Sequence, residues 1–260
     1  MTGIFDSHAH YTDHRFSDDL GTVLDSLPAQ GVHAVLCCGS DLADSRAALR
    51  LADQRPWIFA ACGVHPHEAA MASEADYAAL RELLRAERCV AVGEIGLDYH
   101  YDFSPRAVQF DVFRRQLALA AEAALPVVVH DREAHEDTLR LLREFRPQGG
   151  APWGVVHCFS GSLEMAKELL ALGLLLGFGG AVTFRNARKP LAVAAEIPLD
   201  RLLLETDAPY MTPEPFRGRR CDSGHIRWTA EKIAEARGME AQELADATRQ
   251  NAHHLFRIPE

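Results

Sequence analysis

The sequence lacks several features that would assign it to a special class of protein. No apolar run reaches the length of about 18 residues that suggests a membrane-spanning helix. Its start, MTGIFDSHAH, has no basic segment followed by an apolar stretch, and no linker or low-complexity segment interrupts the 260 residues. We therefore expect a cytoplasmic protein with a single domain over residues 1–260, with no membrane contact and no pattern that indicates an obligate protein partner.

Positive charge is also scarce. The chain has 27 Lys and Arg against 37 Asp and Glu, which gives a formal net charge of −10. Proteins that bind long nucleic acids through a broad basic face use many Lys and Arg contacts to phosphate, so this class is disfavoured. A small anionic substrate is still compatible with the charge, because bound divalent cations would offset part of it locally.

None of the six cysteines forms a CxxC pair. Five of them lie inside apolar, strand-like runs: Cys37, Cys38, Cys62, Cys89 and Cys158. This placement predicts reduced thiols in the core, as is common for free cysteine in reducing compartments. Cys221 lies outside these runs and is expected to be an inert loop thiol.

What the sequence does contain is an alternation of apolar runs and amphipathic segments. The strand candidates are residues 3–10, 33–39, 57–63, 89–96, 126–130, 154–160, 174–180 and 202–209. The helical patterns are residues 17–29, 41–54, 73–87, 105–124, 133–146, 162–172 and 186–196, with two more at 224–237 and 240–256. Strands interleaved with helices predict parallel βαβ units, and eight units in about 250 residues fit an α/β fold of the (β/α)8 barrel type.

The first strand candidate carries two histidines, His8 and His10. Side chains alternate along a strand, so both imidazoles point to the same face and could bind one metal ion together. The pattern alone is weak, because it also arises by chance on surface strands.

A metal-capable side chain also stands at the C-terminal end of five later strand candidates: His65 in GVHP, Glu94 in VGEIGLD, His130 in VVVHDR, His157 in VVHCFSG and Asp207 in LLETDAP. One such residue would more often be a cap or a solvent-facing group. The C-terminal ends of barrel strands converge on one mouth, however, and active sites of this fold lie there. Metal-capable residues at six of eight strand ends therefore predict a metal site at the mouth.

The candidate ligands outnumber those of a single ion, because a catalytic zinc takes about three protein ligands and keeps one position open. We predict two divalent ions bridged by Glu94. One ion would also bind His8, His10 and Asp207, and the other His130 and His157. Imidazole-rich sites suit zinc, manganese, nickel or iron better than magnesium.

Paired ions can activate water for hydrolysis. Asp207 is expected both to bind an ion and to hold the proton of that water, which makes it a catalytic residue together with Glu94. Glu205, two residues earlier on the same strand, has two interpretations. It either supports the ligands of the site or is a barrel-interior carboxylate bonded to a lysine or to backbone.

The motifs FDSHAH, GVHPHE, VGEIGLDYH, VVVHDRE, VHCFSG, LLLETDAPYMTP and NAHHLF run through nearly the whole chain. In this order they resemble the TatD-type DNases, metal-dependent hydrolases related to the amidohydrolase barrels. The resemblance implies a (β/α)8 fold, hydrolysis of phosphodiester bonds in DNA, and turnover that magnesium can support. It also implies a binuclear site with six ligands: His8, His10, Glu94, His130, His157 and Asp207. His65 matches a motif histidine that resembles a substrate contact or a supporting group rather than a ligand.

One segment departs from the family pattern. After ETDAPY many members continue from Arg-Gly into Asn-Glu-Pro, whereas residues 217–225 read RGRRCDSGH here. The sequence therefore does not identify the residues that contact the substrate at this rim. Five arginines could bind phosphate through bidentate hydrogen bonds or could equally be solvated surface charge: Arg132, Arg185, Arg217, Arg219 and Arg220.

The leading functional prediction is a phosphodiesterase that acts on DNA ends or short single strands. An alternative is hydrolysis of an amide, ester or lactone in a small molecule, since the same ions can polarise a carbonyl group. A remote alternative is a non-catalytic metal-binding barrel, which would require that Asp207→Asn leave every activity intact.

Overall fold

The computed structural model describes residues 1–259 and contains one sheet of eight parallel strands in chain order. Their bounds are β1 Ile4–Ala9, β2 Val32–Cys38, β3 Ile58–Cys62, β4 Cys89–Asp98, β5 Val127–Arg132, β6 Gly154–Val156, β7 Leu174–Phe178 and β8 Leu202–Leu204. An isolated parallel bridge joins Ala9 to Ala208, so the chain after β8 closes the sheet against β1. The predicted (β/α)8 barrel is confirmed.

Helices connect the strands and cover the outside of the barrel. Between consecutive strands lie α1 Leu20–Ser26, α2 Leu42–Gln54, α3 Glu74–Leu83, α4 Arg106–Ala123, α5 His135–Phe145, α6 Leu163–Ala171 and α7 Arg188–Glu196, and after β8 come α8 Ile226–Arg237 and α9 Ala241–Phe256. Among residues 1–259, none of these helices combines the length and apolarity that a bilayer crossing requires.

The barrel interior is filled by apolar side chains. One buried cluster takes at least one residue from every strand and includes Phe5, Val128 and Leu203. Leu255 and Phe256 of α9 belong to the same cluster, so α9 closes the end of the barrel where the strands begin. The open end is therefore the one where the strands finish, in agreement with the position predicted for the site.

Two predicted strands are shorter than expected. The runs 154–160 and 202–209 were expected to be strands throughout, but β6 and β8 have three residues each. Beyond them Cys158 and Asp207 adopt the left-handed conformation, with φ of 46° and 59°, which no strand can accommodate. Cys158 is consequently half-buried beside the mouth, and its assignment to a strand within the core was wrong. The other five cysteines are buried and free.

The sheet register is irregular in two places that matter for the site. The pairing of β1 with β2 shifts between Asp6 and Ala9, and that of β4 with β5 shifts between Val92 and Ile95. A shift of one residue exchanges the two faces of a strand. The shift in β1 accounts for Phe5 in the barrel interior and His8 at the mouth, which are three positions apart and would face opposite sides of a regular strand.

A buried carboxylate ties the closing strands together. Asp6 accepts hydrogen bonds from the backbone N–H of Thr206 at 2.9 Å and from the hydroxyl groups of Thr206 and Ser223. Burial raises the pKa of Asp6 to about 6, although these hydrogen bonds act in the opposite direction. The segment that departs from the family pattern is thereby anchored to β1 through Ser223.

The substitution Gly96→Ala tests the close approach of β4 to β5. Gly96 has φ of 148°, and a Cβ atom there would lie 1.9 Å from the backbone oxygen of His130. We expect the free energy of unfolding to fall by about 3 kcal/mol, because both the backbone conformation and the contact are unfavourable. Thermal and urea unfolding measure this change.

Gly21→Ala is the matched control for this substitution. Gly21 lies in α1 and a Cβ atom there would meet nothing within 4 Å. Alanine should stabilise the protein by about 0.5 kcal/mol through its higher helix propensity. Equal stability of the two variants would contradict the packing described for Gly96.

Candidate metal centre

The carboxylate of Glu94 is buried at the centre of the mouth. Its Oε1 atom lies 2.7 Å from Nε2 of His157, 2.8 Å from Nδ1 of His130 and 3.4 Å from Nε2 of His65. His157 directly follows β6, His130 lies in the second half of β5, and His65 lies in the loop after β3. One carboxylate oxygen therefore faces imidazoles from three different strands.

The other carboxylate oxygen faces the first strand. Oε2 of Glu94 lies 3.2 Å from Nε2 of His8 and 3.3 Å from Nε2 of His10. Oδ1 of Asp207 completes this side, at 3.5 Å from Nε2 of His10 and 3.9 Å from Nε2 of His8. The predicted ligands are thus together, and we call His8, His10, Glu94, His130, His157 and Asp207 the mouth cluster.

Ring nitrogens in the mouth cluster face each other in two pairs. Nε2 of His8 is 3.1 Å from Nε2 of His10, and Nδ1 of His130 is 3.2 Å from Nε2 of His157. Two imidazole lone pairs at such a distance repel each other unless a proton or a cation lies between them. This donor set fits a metal site, and ligand atoms close enough for one ion occur in three overlapping groups: His8, His10, Asp207; His8, Glu94, His157; and His65, Glu94, His130.

The outer ring nitrogens of two histidines are held by acceptors. Nδ1 of His10 donates to the carbonyl oxygen of Cys38 at 3.0 Å, and Nε2 of His130 donates to Oδ2 of Asp98 at 3.1 Å. Since a carbonyl or carboxylate oxygen only accepts, each ring donates from this outer nitrogen, and the opposite nitrogen can offer its lone pair to a metal ion once its proton has been released. Metal-binding histidines are typically oriented in this way.

Asp98 is a site residue that the sequence analysis missed. It is fully buried at the end of β4 and also accepts from Nε2 of His67 at 2.9 Å and from the N–H groups of His100 and Tyr101 at 3.0 and 2.9 Å. Burial opposes its ionisation, but the bonds from His130, Tyr101 and His67 hold the pKa of Asp98 below its usual value. The sequence signal for Asp98 was its place in the VGEIGLDYH motif. It was missed because β4 ends at Asp98, two residues beyond the predicted end of the strand.

Glu205 lies behind His157 and is fully buried. The N–H of Cys158 donates to its Oε1, which is also 3.8 Å from Nδ1 of His157. Within residues 1–259, Oε2 of Glu205 and Nδ1 of His157 have no hydrogen-bond partner. Burial raises the pKa of Glu205 to about 8. A Cβ atom on Gly177 would come within 2.2 Å of Oε2, so glycine makes the room that this carboxylate occupies.

Protonation within the mouth cluster differs from ring to ring. Burial lowers the pKa of His8 to about 4, which keeps this ring neutral. Burial also opposes protonation of His10 and His130, but hydrogen bonds to carboxylates prevail, raising the pKa of His130 to about 9 and that of His10 well above 6.5. Metal binding would release these protons, since a ligating imidazole nitrogen must be unprotonated.

His65 differs from the cluster histidines in its tautomer. Its Nδ1 accepts the backbone N–H of His67 at 3.2 Å, so in the neutral ring the proton is on Nε2, which faces Glu94. Burial lowers the pKa of His65 to about 4, so the ring is neutral. This arrangement suits a hydrogen-bond donor at the mouth better than a metal ligand.

The five arginines considered for phosphate binding have different surroundings. The guanidinium of Arg132 lies over the Tyr101 ring, 4.6 Å from its centroid, at the exposed end of β5. Arg220 is occupied by an ion pair with Asp19 at 2.6 Å. Arg217 and Arg219 lie over the rings of Phe184 and Phe216, and Arg185 is exposed. None of the five forms a hydrogen bond or ion pair with the mouth cluster, among the described residues.

Comparisons with known proteins, by sequence and by structure, relate this chain to TatD proteins. The family model described as TatD related DNase matches residues 5–257. An uncharacterized metal-dependent hydrolase, YabD of Bacillus subtilis, is 44% identical over 255 residues, covering 98% of this chain and 99% of YabD. The 3'-5' ssDNA/RNA exonuclease TatD of Edwardsiella piscicida is 38% identical over 261 residues, covering 98% and 100%. The crystal structure of YJJV, a TatD homologue of Escherichia coli K12, has a TM-score of 0.93 at 33% identity and 99% coverage of both chains.

Asp98→Asn tests the hydrogen bond that orients His130. Loss of the negative charge should lower the pKa of His130 from about 9 toward its ordinary value of 6.5. The imidazole resonances of the metal-free protein, followed by NMR over a pH titration, measure the change.

Asp131→Asn is the matched control, because Asp131 directly follows His130 in β5. Asp131 accepts from Nδ1 of His135 at 2.8 Å, and this hydrogen bond raises the pKa of His135. The control should therefore lower the pKa of His135 and leave His130 unchanged. An unaltered His130 titration in Asp98→Asn would contradict the orientation described.

Proposed function

The chain belongs to the TatD related DNase family and is a metal-dependent hydrolase, and on this basis we propose that it is a phosphodiesterase that cleaves DNA ends or short single strands. The observation that carries the proposal is the position of the Glu94 carboxylate between two sets of imidazoles at one barrel mouth. The name of the exonuclease relative supports nucleic acid as the substrate class.

We assign two divalent ions to the mouth cluster with Glu94 as the bridging ligand. The ion beside Oε2 would also take His8, His10 and Asp207, and the ion beside Oε1 would take His130 and His157. Bound there, a pair of divalent ions supplies an activated water and stabilises charge on the phosphate oxygens. Imidazole-rich ligands favour zinc, manganese, nickel or iron over magnesium, and elemental analysis of the purified protein identifies the ions.

The remaining roles belong to side chains of the protein itself. The backbone N–H of Asp207 donates to the backbone oxygen of His8 at 2.9 Å, which fixes Asp207 at the mouth. Its carboxylate would receive the proton of the attacking water. Nε2–H of His65, which faces Oε1 of Glu94 at 3.4 Å, would donate to the substrate. Arg132 would contact phosphate from the rim, and Glu205 would hold His157 from behind.

The charge of the protein supports a short substrate. With a formal net charge of −10, the surface would repel a long duplex, whereas a single strand that ends at the mouth meets the ions and Arg132 first. Six free cysteines are consistent with a reducing compartment, so we propose a cytoplasmic location. The organisation of residues 1–260 as one domain stays a prediction.

A substrate panel at matched metal concentration tests the proposed function. It contains single-stranded and duplex oligonucleotides together with aryl esters, lactones and amides. We expect cleavage of single strands to exceed that of the duplex and of every carbonyl substrate. Esterase or amidase activity without nuclease activity would overturn the proposal in favour of the carbonyl alternative.

Glu94→Ala tests the bridge. Removal of a carboxylate shared by two ions should lower kcat/KM by at least about 10³-fold and reduce the occupancy of both ions together. Elemental analysis beside steady-state kinetics measures both effects. The exposed Glu82→Ala, whose carboxylate pairs only with Arg85 on the surface, should leave both unchanged. Two fully occupied sites in Glu94→Ala would disprove the bridge.

His65→Ala separates a substrate contact from a ligand. Loss of one hydrogen-bond donor in the site should lower kcat/KM by about 10²-fold. Metal content should stay close to that of the unchanged protein, because the ring presents N–H rather than a lone pair. Loss of one equivalent of metal would instead show that His65 is a ligand.

A further inference from the structure

Two aromatic side chains are exposed to solvent on the loop between β4 and α4. Tyr101 is 49% exposed and Phe103 is 68% exposed. Their rings stack on each other with centroids 5.3 Å apart and an interplanar angle of 21°. Single exposed apolar residues are ordinary, but two stacked rings form a contiguous apolar surface beside the site. We call Tyr101 and Phe103 the aromatic pair.

The aromatic pair is held in place by buried polar groups. The N–H of Tyr101 donates to Oδ1 of Asp98 at 2.9 Å. Ser104, fully buried next to Phe103, donates to the backbone oxygen of His67 and accepts the N–H of Ala70, both at 2.9 Å. The rings are therefore presented by an anchored loop, and little conformational freedom would be lost when a ligand binds to them.

His67 connects the aromatic pair to the mouth cluster. Its ring packs edge-on against Tyr101 at 5.5 Å and against Phe103 at 4.8 Å between centroids. On its other side it contacts the rings of His65 at 4.3 Å and His130 at 6.2 Å. A group resting on the aromatic pair would thus be one side chain away from the proposed reaction centre.

The cation at this rim is free to bind an anion. Arg132 lies over the Tyr101 ring, and within residues 1–259 its guanidinium has no carboxylate within 4 Å and no hydrogen-bond acceptor. Arg106, on the same side, is instead paired with Asp102 at 3.0 Å. An aromatic surface with an unpaired guanidinium beside it matches a nucleotide, which offers a flat base and a phosphate.

We propose that the aromatic pair is a stacking platform for an unpaired nucleobase of the strand being cleaved, with Arg132 contacting the phosphate beside that base. This rests on the proposed function. Stacking requires a base whose face is accessible, as in a single strand and not in a duplex, so the platform accounts for the proposed preference for single strands. Every base has such a face, so the platform should tolerate any sequence.

The double variant Tyr101→Ala/Phe103→Ala tests the platform with single-stranded oligonucleotides. We expect KM to rise at least about fivefold, in the range found for loss of base stacking, while kcat and metal content stay near their original values. Replacing successive terminal nucleotides of the substrate by abasic ones should raise KM for the unchanged enzyme but add nothing in the double variant. The single variant Phe103→Trp should keep the KM of the unchanged enzyme, since it retains an aromatic face.

Two further variants control for general effects. Met71→Ala removes an apolar side chain that is 79% exposed and should leave KM unchanged. Should the double variant fail to fold, Phe103→Leu alone removes the aromatic face and keeps the apolar bulk, so it carries the same expectation of a raised KM.

The outcomes distinguish the platform from the function on which it rests. Cleavage of oligonucleotides with the same KM in the aromatic variants would overturn the platform and leave the phosphodiesterase proposal intact. An enzyme that hydrolyses methyl 4-nitrophenyl phosphate but no oligonucleotide would overturn nucleic acid as the substrate, and the platform with it.

Discussion

The position of one buried carboxylate determines the rest of the site. Glu94 is almost fully enclosed, and an ionised carboxylate in such a place is unfavourable unless positive charge or hydrogen-bond donors surround it. Five imidazoles from four other strand ends supply those groups, so the carboxylate and the rings require each other. The barrel makes this arrangement possible because its parallel strands finish at one opening, although they are far apart in the sequence.

Three further carboxylates hold the mouth cluster from outside. Asp98 orients His130, Glu205 lies behind His157, and Asp6 joins β1 to the chain that follows β8. Each is buried, and each accepts a hydrogen bond from at least one backbone N–H group. The ligand positions are therefore determined by the backbone of the barrel, which is the usual means of keeping reacting groups in register.

The same polar anchors extend toward the substrate side. Asp98 bonds both to His130 in the mouth cluster and to the backbone of Tyr101 in the aromatic pair. His67 shares Asp98 with them and contacts both aromatic rings. Groups for chemistry and groups for substrate binding are thus attached to one buried residue, which fixes the distance between them.

Much of this could be predicted from the sequence, because local patterns report local constraints. The alternation of apolar runs and helical segments determines the barrel, and the motif residues His130 and His157 continue the inward alternation of the buried Val128 and Val155. Only the tertiary structure decided the rest. The register shifts beside His8 and Glu94 and the left-handed turns at Cys158 and Asp207 arise from packing between strands that are distant in the chain, and no local pattern of residues encodes such contacts.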